Sequence, residues 1–299
     1  MKIGFIGLGR MGNAMVLNAI ESGHSIVGYD RNHESVKALE KEGMHPAFSI
    51  EELIKKLSDQ KQKVIWLMIT AGKPVDAVIA EVAPLLSEGD SIIDGGNSWY
   101  EDSQRRAKEL GKRGIHFVDC GTSGGVDGAR HGTCMLLGGS KEAVKTVAPF
   151  VHDLCVRDGY AHVGASGAGH FVKMVHNGIE YGMMAALGEG FGALQKHEKA
   201  FGLDLKEIAK AYAHGSVIES KLASWVQSGM NRADFKDIKG IVPQGETEHE
   251  MEKLEKISDM PILKEARMQR IKSRKKPSFS SKIVATLRNE FGGHKIKKK

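Results

Sequence analysis

The chain has 299 residues, of which 41% are hydrophobic and 27% charged, and its formal net charge is +6. This composition is typical of a folded globular protein, and the length allows two domains with a sizeable core. Aromatic residues make up only 6%, and no segment alternates basic and aromatic residues, so nucleic acid is not an expected partner. The apolar runs are too short to span a membrane, so no membrane partner is expected either.

Short apolar runs alternate with amphipathic stretches through the first half of the chain. The strand-like runs are "KIGFI", "SIVGYD", "KVIWLMIT", "SIIDGG", "IHFVDC" and "TCMLLGG". This alternation predicts βαβ units and a doubly wound, mostly parallel sheet. Near residue 165 the periodicity becomes helical. We therefore predict a Rossmann-type α/β domain over 1–165, followed by an all-α domain over 166–299.

The first glycine-rich stretch is "GLGRMG", residues 7–12, which matches G-x-G-x-x-G. The pattern is weak alone, but here it follows a predicted strand and precedes a predicted helix. Gly7 permits a tight turn, Gly9 lets the backbone approach a pyrophosphate, and Gly12 allows close helix–strand packing. The helix N-terminus then offers N–H groups to phosphates, so we predict a dinucleotide site; a glycine turn without ligand is the alternative. The predicted site also includes Leu8, Arg10 and Met11.

The second predicted strand ends at Asp30. A carboxylate there can accept hydrogen bonds from the ribose hydroxyls of NAD and would repel the 2′-phosphate of NADP. Arg31 follows at once and would partly offset that repulsion. We therefore predict NAD as cofactor, with NADP as the alternative; Asp30 could instead simply start a turn before Asn32.

Three later stretches contain the other candidate residues. They are "DGGNSWYEDS" (94–103), "DCGTSGGVDGARHGTCMLLGG" (119–139) and "GAGHFVKMVHNGIEYGMM" (167–184). In the last stretch Lys173, Asn177 and Glu180 are spaced by four and three residues, so they share one helix face, with His176 on the same side. This polar stripe is either a solvated helix face or the chemistry of an enzyme.

These stretches, in this order behind the glycine-rich loop, resemble the β-hydroxyacid dehydrogenases. The run "KMVHNGIEYG" (173–182) narrows the resemblance to decarboxylating 6-phosphogluconate dehydrogenase, and the length and "YDRN" are similar to its short-form, often NAD-linked branch. The resemblance covers most of residues 1–190 and returns at "LRNEFGGH" (287–294). It implies oxidative decarboxylation of 6-phospho-D-gluconate to D-ribulose 5-phosphate and CO2 in the pentose phosphate pathway.

The resemblance assigns catalytic roles to two residues. Lys173 matches the family's catalytic lysine, which takes the C3 hydroxyl proton and then, as an ammonium, polarises the 3-keto oxygen while CO2 leaves. Partial burial favours the neutral amine that such a base requires. Glu180 matches the general acid that protonates the resulting enediol. The alternatives are an exposed helix lysine and a surface acid.

The resemblance also implies substrate contacts. Asn97 would face both nicotinamide and substrate, or else cap a turn. His176 and Asn177 would hold hydroxyls and carboxylate in reacting geometry. The substrate carboxylate would bind the "GTSGG" stretch, which could instead be only a glycine-rich turn. Its binding residues are Ser123, Gly124 and Gly125.

A 6-phosphate needs cationic, preferably bidentate, partners. The family positions are Arg270, Arg288 and His294, of which the last two belong to a tail that reaches a neighbouring subunit's active site. This implies a homodimer or homotetramer. Tyr181, next to Glu180, is the remaining expected phosphate contact. The alternative interpretation, without a functional role, is that the basic runs "RIKSRKK" (270–276) and "KIKKK" (295–299) are a solvated face and a frayed tail.

One segment departs from the family. Short-form members often carry a "GEGRWT"-like stretch, whereas this chain has "PQGETEHEMEKL" (243–254), which continues as an amphipathic helix. A related sugar acid, oxidised without decarboxylation, is therefore an alternative substrate; a non-catalytic protein on the same fold is a third hypothesis. His249 and Glu250 do not form H-E-x-x-H, so no catalytic metal is predicted.

Two further features bear on location. Cys120, Cys134 and Cys155 lack CxxC spacing and fit a reducing compartment. The N-terminal "MKIGFIGLG" does not have the pattern of a signal peptide. We therefore predict a cytoplasmic protein.

Overall fold

The computed structural model describes residues 1–298, apart from the side chain of Glu246; Lys299, the last cation of the basic tail, lies outside the described residues. The chain divides into two compact units, Met1–Lys173 and Met174–Lys299. This division falls inside a long helix, Ala168–Phe201, whereas the predicted boundary after residue 165 falls just before that helix.

The first unit is an eight-stranded sheet with helices between the strands. The strands are β1 (Lys2–Ile6), β2 (Ser25–Tyr29), β3 (His45–Pro46), β4 (Val64–Leu67), β5 (Ser91–Asp94), β6 (His116–Ser123), β7 (Thr133–Gly138) and β8 (Cys155–Gly164). Their order is β3-β2-β1-β4-β5-β6-β7-β8, and only the β6–β7 pair is antiparallel among them. The chain therefore reverses direction across the sheet at β1, where open α/β sheets bind ligands.

Helices connect these strands. They are α1 (Arg10–Glu21), α2 (His33–Glu40), α3 (Ile50–Lys56), α4 (Lys73–Val82), α5 (Tyr100–Gly111), α6 (Gly125–His131) and α7 (Lys141–Leu154), with a 3-10 turn at Ala83–Leu85. Successive side chains of a strand point to opposite faces, so each strand feeds two cores. Phe5 and Trp66 enter one core, with ring centroids 6.3 Å apart, whereas Ile6 and Leu67 enter the other. Because helices cover both faces, the strands are almost continuously apolar.

The predicted α/β class, with a mostly parallel sheet before a helical region, is confirmed. Strand β8 was not among the predicted strands. It is an edge strand whose sequence, "CVRDGYAHVG", is largely exposed and polar, so it lacks the apolar signal of a buried strand.

The second unit is helical. Its helices are α8 (Ala168–Phe201, shared with the first unit), α9 (Leu205–Tyr212), α10 (Lys221–Asn231), α11 (Glu246–Ile257), α12 (Pro261–Ser273) and α13 (Phe279–Gly292), with a 3-10 turn at Phe235–Asp237. A capping box of Ser278 and Ser281 starts α13, and Gly293, with φ +58°, ends it. Within residues 1–298, no helix combines the length and apolar character that crossing a membrane requires.

Candidate active site

The glycine-rich loop follows β1 and turns directly into α1. Gly7 has φ +100°, and a Cβ there would overlap the carbonyl oxygen of Met68. A Cβ on Gly12 would overlap the carbonyl oxygen of Gly7, so α1 packs against the strand end without a side chain between them. A Cβ on Gly9 would meet nothing within 4 Å. The three glycines thus provide the turn, the close packing and the open approach that a dinucleotide pyrophosphate requires.

Asp30 joins the end of β2 to this loop. Its Oδ2 accepts a hydrogen bond from the Leu8 N–H at 2.7 Å, and its Oδ1 accepts one from the Asn32 N–H at 2.8 Å. The carboxylate therefore does start a turn, and it lies directly against the glycine-rich loop. Arg10 and Arg31 are exposed at the same edge. These residues fit a bound dinucleotide, while the ribose contact of Asp30 stays a prediction.

Asn97 lies in the loop after β5, between two anchored neighbours. Asp94, which is fully buried, accepts hydrogen bonds from the Gly96 N–H (3.1 Å) and the Ser98 hydroxyl (2.6 Å). Arg106, buried in α5, donates to the same carboxylate at 3.1 Å. An unpaired buried charge would be costly, so this pair fixes the loop firmly. Sequence patterns did not single out Asp94 or Arg106.

Helix α8 begins directly on the sheet. The buried carboxylate of Asp119 accepts hydrogen bonds from the N–H groups of Gly167 (2.6 Å) and His170 (2.9 Å), which satisfies the first turn of the helix. A Cβ on Gly121 would overlap the Cβ of Lys173, so only glycine lets the helix lie this close to β6. Lys173 is consequently held against the carboxyl end of β6, with 8% of its surface exposed.

The predicted carboxylate-binding stretch follows immediately along β6. The strand ends at Ser123, whose carbonyl oxygen accepts a hydrogen bond from the Thr133 hydroxyl at 2.5 Å. Gly124 (φ +124°) and Gly125 (φ +66°) then turn the chain into α6. Because β1, β2, β5 and β6 run parallel, their carboxyl ends lie at one edge. The first unit thus brings the glycine-rich loop, Asp30, Asn97, Ser123 and Lys173 to the same edge of the sheet.

The polar stripe of α8 is not a solvated helix face. Lys173 and Asn177 are 8% and 7% exposed, whereas the apolar Ile179 on the same helix is 56% exposed. His176 and Glu180 are half-buried. Burial of a polar stripe beside an exposed isoleucine is the reverse of an ordinary amphipathic helix. The arrangement favours a functional role for the stripe.

The second unit contains a pair of buried arginines. The guanidinium carbon of Arg270 lies 3.2 Å from the ring centroid of Tyr181, and Arg288 donates from Nη1 to the Pro243 carbonyl oxygen at 2.8 Å. Burial lowers the pKa of Arg270 to about 10 and also lowers the pKa of Arg288. The neighbouring Arg288 cation lowers the pKa of Arg270 further, and the Arg274 cation does the same for Arg288. With a pKa of about 10, Arg270 still carries its charge at neutral pH, and arginine side chains such as Arg288 are in general protonated in proteins.

Neither guanidinium has an ion-pair partner among the described side chains. Two buried cations are costly to desolvate, and the charges of Glu180 and Glu248 offset part of that cost, so the arrangement favours a bound anion with several oxygen atoms. The solvated-face interpretation of the run 270–276 is therefore wrong for Arg270, of which only 5% is exposed.

The divergent segment lies against the same residues. The hydroxyl groups of Thr247 and Tyr181 are 2.8 Å apart, and Pro243 supplies the carbonyl oxygen that Arg288 contacts. Glu248, which is buried, pairs with Arg274. The segment therefore contacts the predicted phosphate residues through a hydroxyl and a backbone carbonyl. A threonine at the start of an acidic helix gives no sequence signal for this contact.

The C-terminal residues contact their own unit. The Lys239 N–H donates to the Lys297 carbonyl oxygen at 2.8 Å, and the Lys298 ammonium lies 2.9 Å from Asp234. The frayed-tail interpretation of the run 295–299 is therefore wrong for these two lysines. Arg288 is not in a tail but in α13, and His294 follows that helix as an exposed residue. Their predicted contact with a neighbouring subunit stays a prediction.

Comparison with known proteins gives concordant matches in both units. A family model described as the NAD binding domain of 6-phosphogluconate dehydrogenase matches residues 2–161, and one described as the C-terminal domain of that enzyme matches residues 169–199. YqeC of Bacillus subtilis, provisionally named a 6-phosphogluconate dehydrogenase, is 44% identical over 306 residues, which cover 100% of both chains.

Two further relatives extend the comparison. A protein of Haloferax volcanii named 6-phosphogluconate dehydrogenase, NAD(+)-dependent, decarboxylating, is 38% identical over 100% of this chain and 99% of its own length. The solved Plasmodium falciparum 6-phosphogluconate dehydrogenase, described with its cofactor NADP+ and with 6-phosphogluconate, superimposes with a TM-score of 0.83 at 29% identity. That match covers 92% of this chain but 62% of the longer Plasmodium chain.

Proposed function

Because the chain belongs to the 6-phosphogluconate dehydrogenase family, we propose that it oxidises and decarboxylates 6-phospho-D-gluconate to D-ribulose 5-phosphate and CO2 while reducing NAD. The observation that carries this proposal is the burial of Lys173 against Gly121, in the unit that also holds the glycine-rich loop. A buried lysine at the carboxyl edge of a dinucleotide-binding sheet suits a base that works beside the cofactor.

In the first step, Lys173 removes the proton from the C3 hydroxyl. NAD, held by the glycine-rich loop, would supply the hydride acceptor for C3, which would thereby become a ketone. Asn97, between the anchored Gly96 and Ser98, orients the reacting carbon, and the short stretch Ser123, Gly124 and Gly125 holds the substrate carboxylate through backbone N–H groups. His176 and Asn177 bind the hydroxyl groups beside it.

In the second step, the bond between C1 and C2 breaks and C1 leaves as CO2. The electron pair of that bond enters the enediol of C2 and C3, and the protonated Lys173 donates a hydrogen bond to the C3 oxygen, where negative charge develops. Glu180 then protonates C2, which becomes C1 of the pentulose. The half-buried position of Glu180 on the helix that also carries Lys173 supports its assignment as the acid.

The phosphate end of the substrate belongs to the second unit. Arg270 and Arg288 provide two guanidinium groups without ion-pair partners among the described side chains, and Tyr181 provides a hydroxyl. A phosphate dianion offsets the cost of burying both cations. We also assign His294 to this end of the substrate.

The cofactor preference and the assembly complete the proposal. Asp30 favours NAD over NADP, because a second negative charge beside a carboxylate is repelled. The enzyme is a homodimer or homotetramer in the cytoplasm, in the pentose phosphate pathway. Its C-terminal tail reaches a neighbouring active site; His294 is the better candidate for that contact, because it is exposed while Arg288 is buried in its own chain.

The decisive experiment incubates the purified protein with 6-phosphogluconate and either NAD or NADP, and follows reduced cofactor and CO2 together. We expect equal amounts of NADH and CO2, with NAD as the better cofactor. Reduced cofactor without CO2 would instead support oxidation of a sugar acid without decarboxylation. A preference for NADP would contradict the role of Asp30. As a control, Lys173→Met should lose most turnover and keep NAD binding.

A further inference from the structure

A buried histidine of the first unit connects the loop that carries Asn97 to the helix that carries Lys173. The ring of His170 lies in the first turn of α8, one turn before Lys173, and only 1% of the residue is exposed. Its Nε2 lies 3.1 Å from the carbonyl oxygen of Gly96, in the loop that carries Asn97. Its Nδ1 lies 2.7 Å from the hydroxyl of Ser103 in α5. His170 has no part in the proposed chemistry.

These contacts determine the tautomer of the ring. A carbonyl oxygen can only accept a hydrogen bond, so Nε2 must carry the proton and donate to Gly96. In the neutral ring Nδ1 then accepts from the Ser103 hydroxyl. Both ring nitrogens are therefore satisfied, which makes the orientation of the ring well defined.

The His170 ring fixes the backbone on the N-terminal side of Asn97 but not on its C-terminal side. On its C-terminal side, Ser98 is held by the buried Asp94. On its N-terminal side, the Gly96 N–H is held by Asp94, but the Gly96 carbonyl is held by His170. The backbone N–H of His170 is itself fixed by Asp119. His170 thus joins the peptide before Asn97 to the helix turn that presents Lys173.

We propose that His170 is a positioning residue, which sets the distance between the Asn97 loop and the Lys173 helix through its hydrogen bond to Gly96. The inference rests on the proposed function, because it concerns the alignment of C3 between cofactor and base. Hydride transfer and proton removal at one carbon require both partners in place, and an error of about 1 Å can cost about 100-fold in rate.

Two amide substitutions separate the contacts of the ring. In His170→Gln the terminal amide reaches the Nε2 position and can still donate to Gly96. In His170→Asn the shorter amide reaches the Nδ1 position and can still accept from Ser103, but it loses Gly96. Both variants bury one amide and lose one of the two hydrogen bonds of the ring, so both should lose stability of similar size.

The kinetic experiment compares the two variants with 6-phosphogluconate and NAD. We expect kcat of His170→Asn to fall at least about tenfold, with a larger primary isotope effect from C3-deuterated substrate, while NAD affinity changes less than about twofold. His170→Gln should keep most of the wild-type kcat. Equal losses in the two variants would overturn the inference, because a merely structural histidine would not distinguish them.

A second measurement does not depend on turnover. Hydrogen–deuterium exchange of the peptide 94–100 should speed up in His170→Asn and stay near the wild-type rate in His170→Gln; unchanged exchange in both would also overturn the inference. If wild-type protein does not oxidise 6-phosphogluconate, the proposed function fails, while exchange still tests the link. His24→Asn is the matched control, since His24 is buried in the same unit beside Phe150 and contacts Asp153. It should alter neither kcat nor this exchange.

Discussion

Burial of single side chains supports the proposed functional residues more directly than the sequence pattern does. Lys173 and Asn177 are buried on a helix that exposes Ile179, and Arg270 and Arg288 are buried without ion-pair partners among the described side chains. Each case reverses the usual preference of polar and charged groups for solvent. Burying such groups costs free energy, and a substrate that neutralises or hydrogen-bonds them returns part of that cost.

The hydroxyl pair of Thr247 and Tyr181 gives a test at this scale. A phosphate accepts hydrogen bonds, so Tyr181 donates to it best when Thr247 donates to Tyr181 in turn. We expect Thr247→Val to raise KM for 6-phosphogluconate severalfold, since one neutral hydrogen bond contributes about 1 kcal/mol. Steady-state kinetics at saturating NAD measure this change.

Two comparisons control for packing in that test. Thr247→Ser keeps the hydroxyl and should stay near the wild-type KM. In the double variant Thr247→Val with Tyr181→Phe, the threonine change should have no further effect. Independent, additive effects of the two substitutions would show that Thr247 does not act through Tyr181.

Among the elements, the position of the start of α8 depends on two residues without side chains. Gly121 and Gly169 bring the first turn of the helix into contact with β6, because neither glycine has room for a Cβ. Asp119 satisfies the N–H groups of that turn. The position of Lys173 is thus a property of the strand–helix contact rather than of the helix alone.

Gly121→Ala tests that contact. The added methyl group would overlap the Cβ of Lys173, so the helix must move, and we expect a loss of about 1–3 kcal/mol in stability together with a large fall in kcat. Gly190→Ala in the same helix is the control: its Cβ meets nothing within 4 Å, so it should be neutral or slightly stabilising. Chemical denaturation and turnover assays report the two effects. Wild-type turnover in Gly121→Ala would contradict the proposed role of Lys173 in the active site.

The elements also show how much of this structure the sequence could predict. The glycine-rich loop and the α8 stripe were predictable, because the requirements of each residue are local or periodic. Strand β8 was not, since an exposed polar edge has no apolar periodicity. The contact of Thr247 with Tyr181 joins residues 66 positions apart and follows no spacing rule. Arg270 lies in a run of similar cations, and only packing shows which of them is buried.

For the whole molecule, the proposal to test is that each active site uses the C-terminal tail of a neighbouring chain rather than that of its own chain. The exposed His294 and the buried Lys173 allow a complementation test. If the tail acts on a neighbouring site, mixed oligomers of Lys173→Met and His294→Ala contain sites in which both residues are intact. We expect activity to recover to about one quarter of wild type in randomly mixed dimers, where half the dimers carry one complete site.

The alternative outcome is equally clear. If His294 serves the site of its own chain, each site in a mixed oligomer keeps one defect, and activity equals the average of the two parent variants. Subunits are mixed by co-expression, and light scattering confirms that the oligomer forms. A monomeric particle with full activity would remove the shared site altogether.

The buried arginine pair also has a consequence for the energetics of turnover. In the proposed reaction the phosphate group does not change when the substrate becomes the pentulose, so Arg270 and Arg288 would hold substrate, transition state and product with much the same strength. Binding of this uniform kind lowers KM but does not lower the barrier between bound states. Under the proposed function we therefore expect the acceleration to arise at the Lys173 end, and we expect departure of the phosphorylated product to limit turnover.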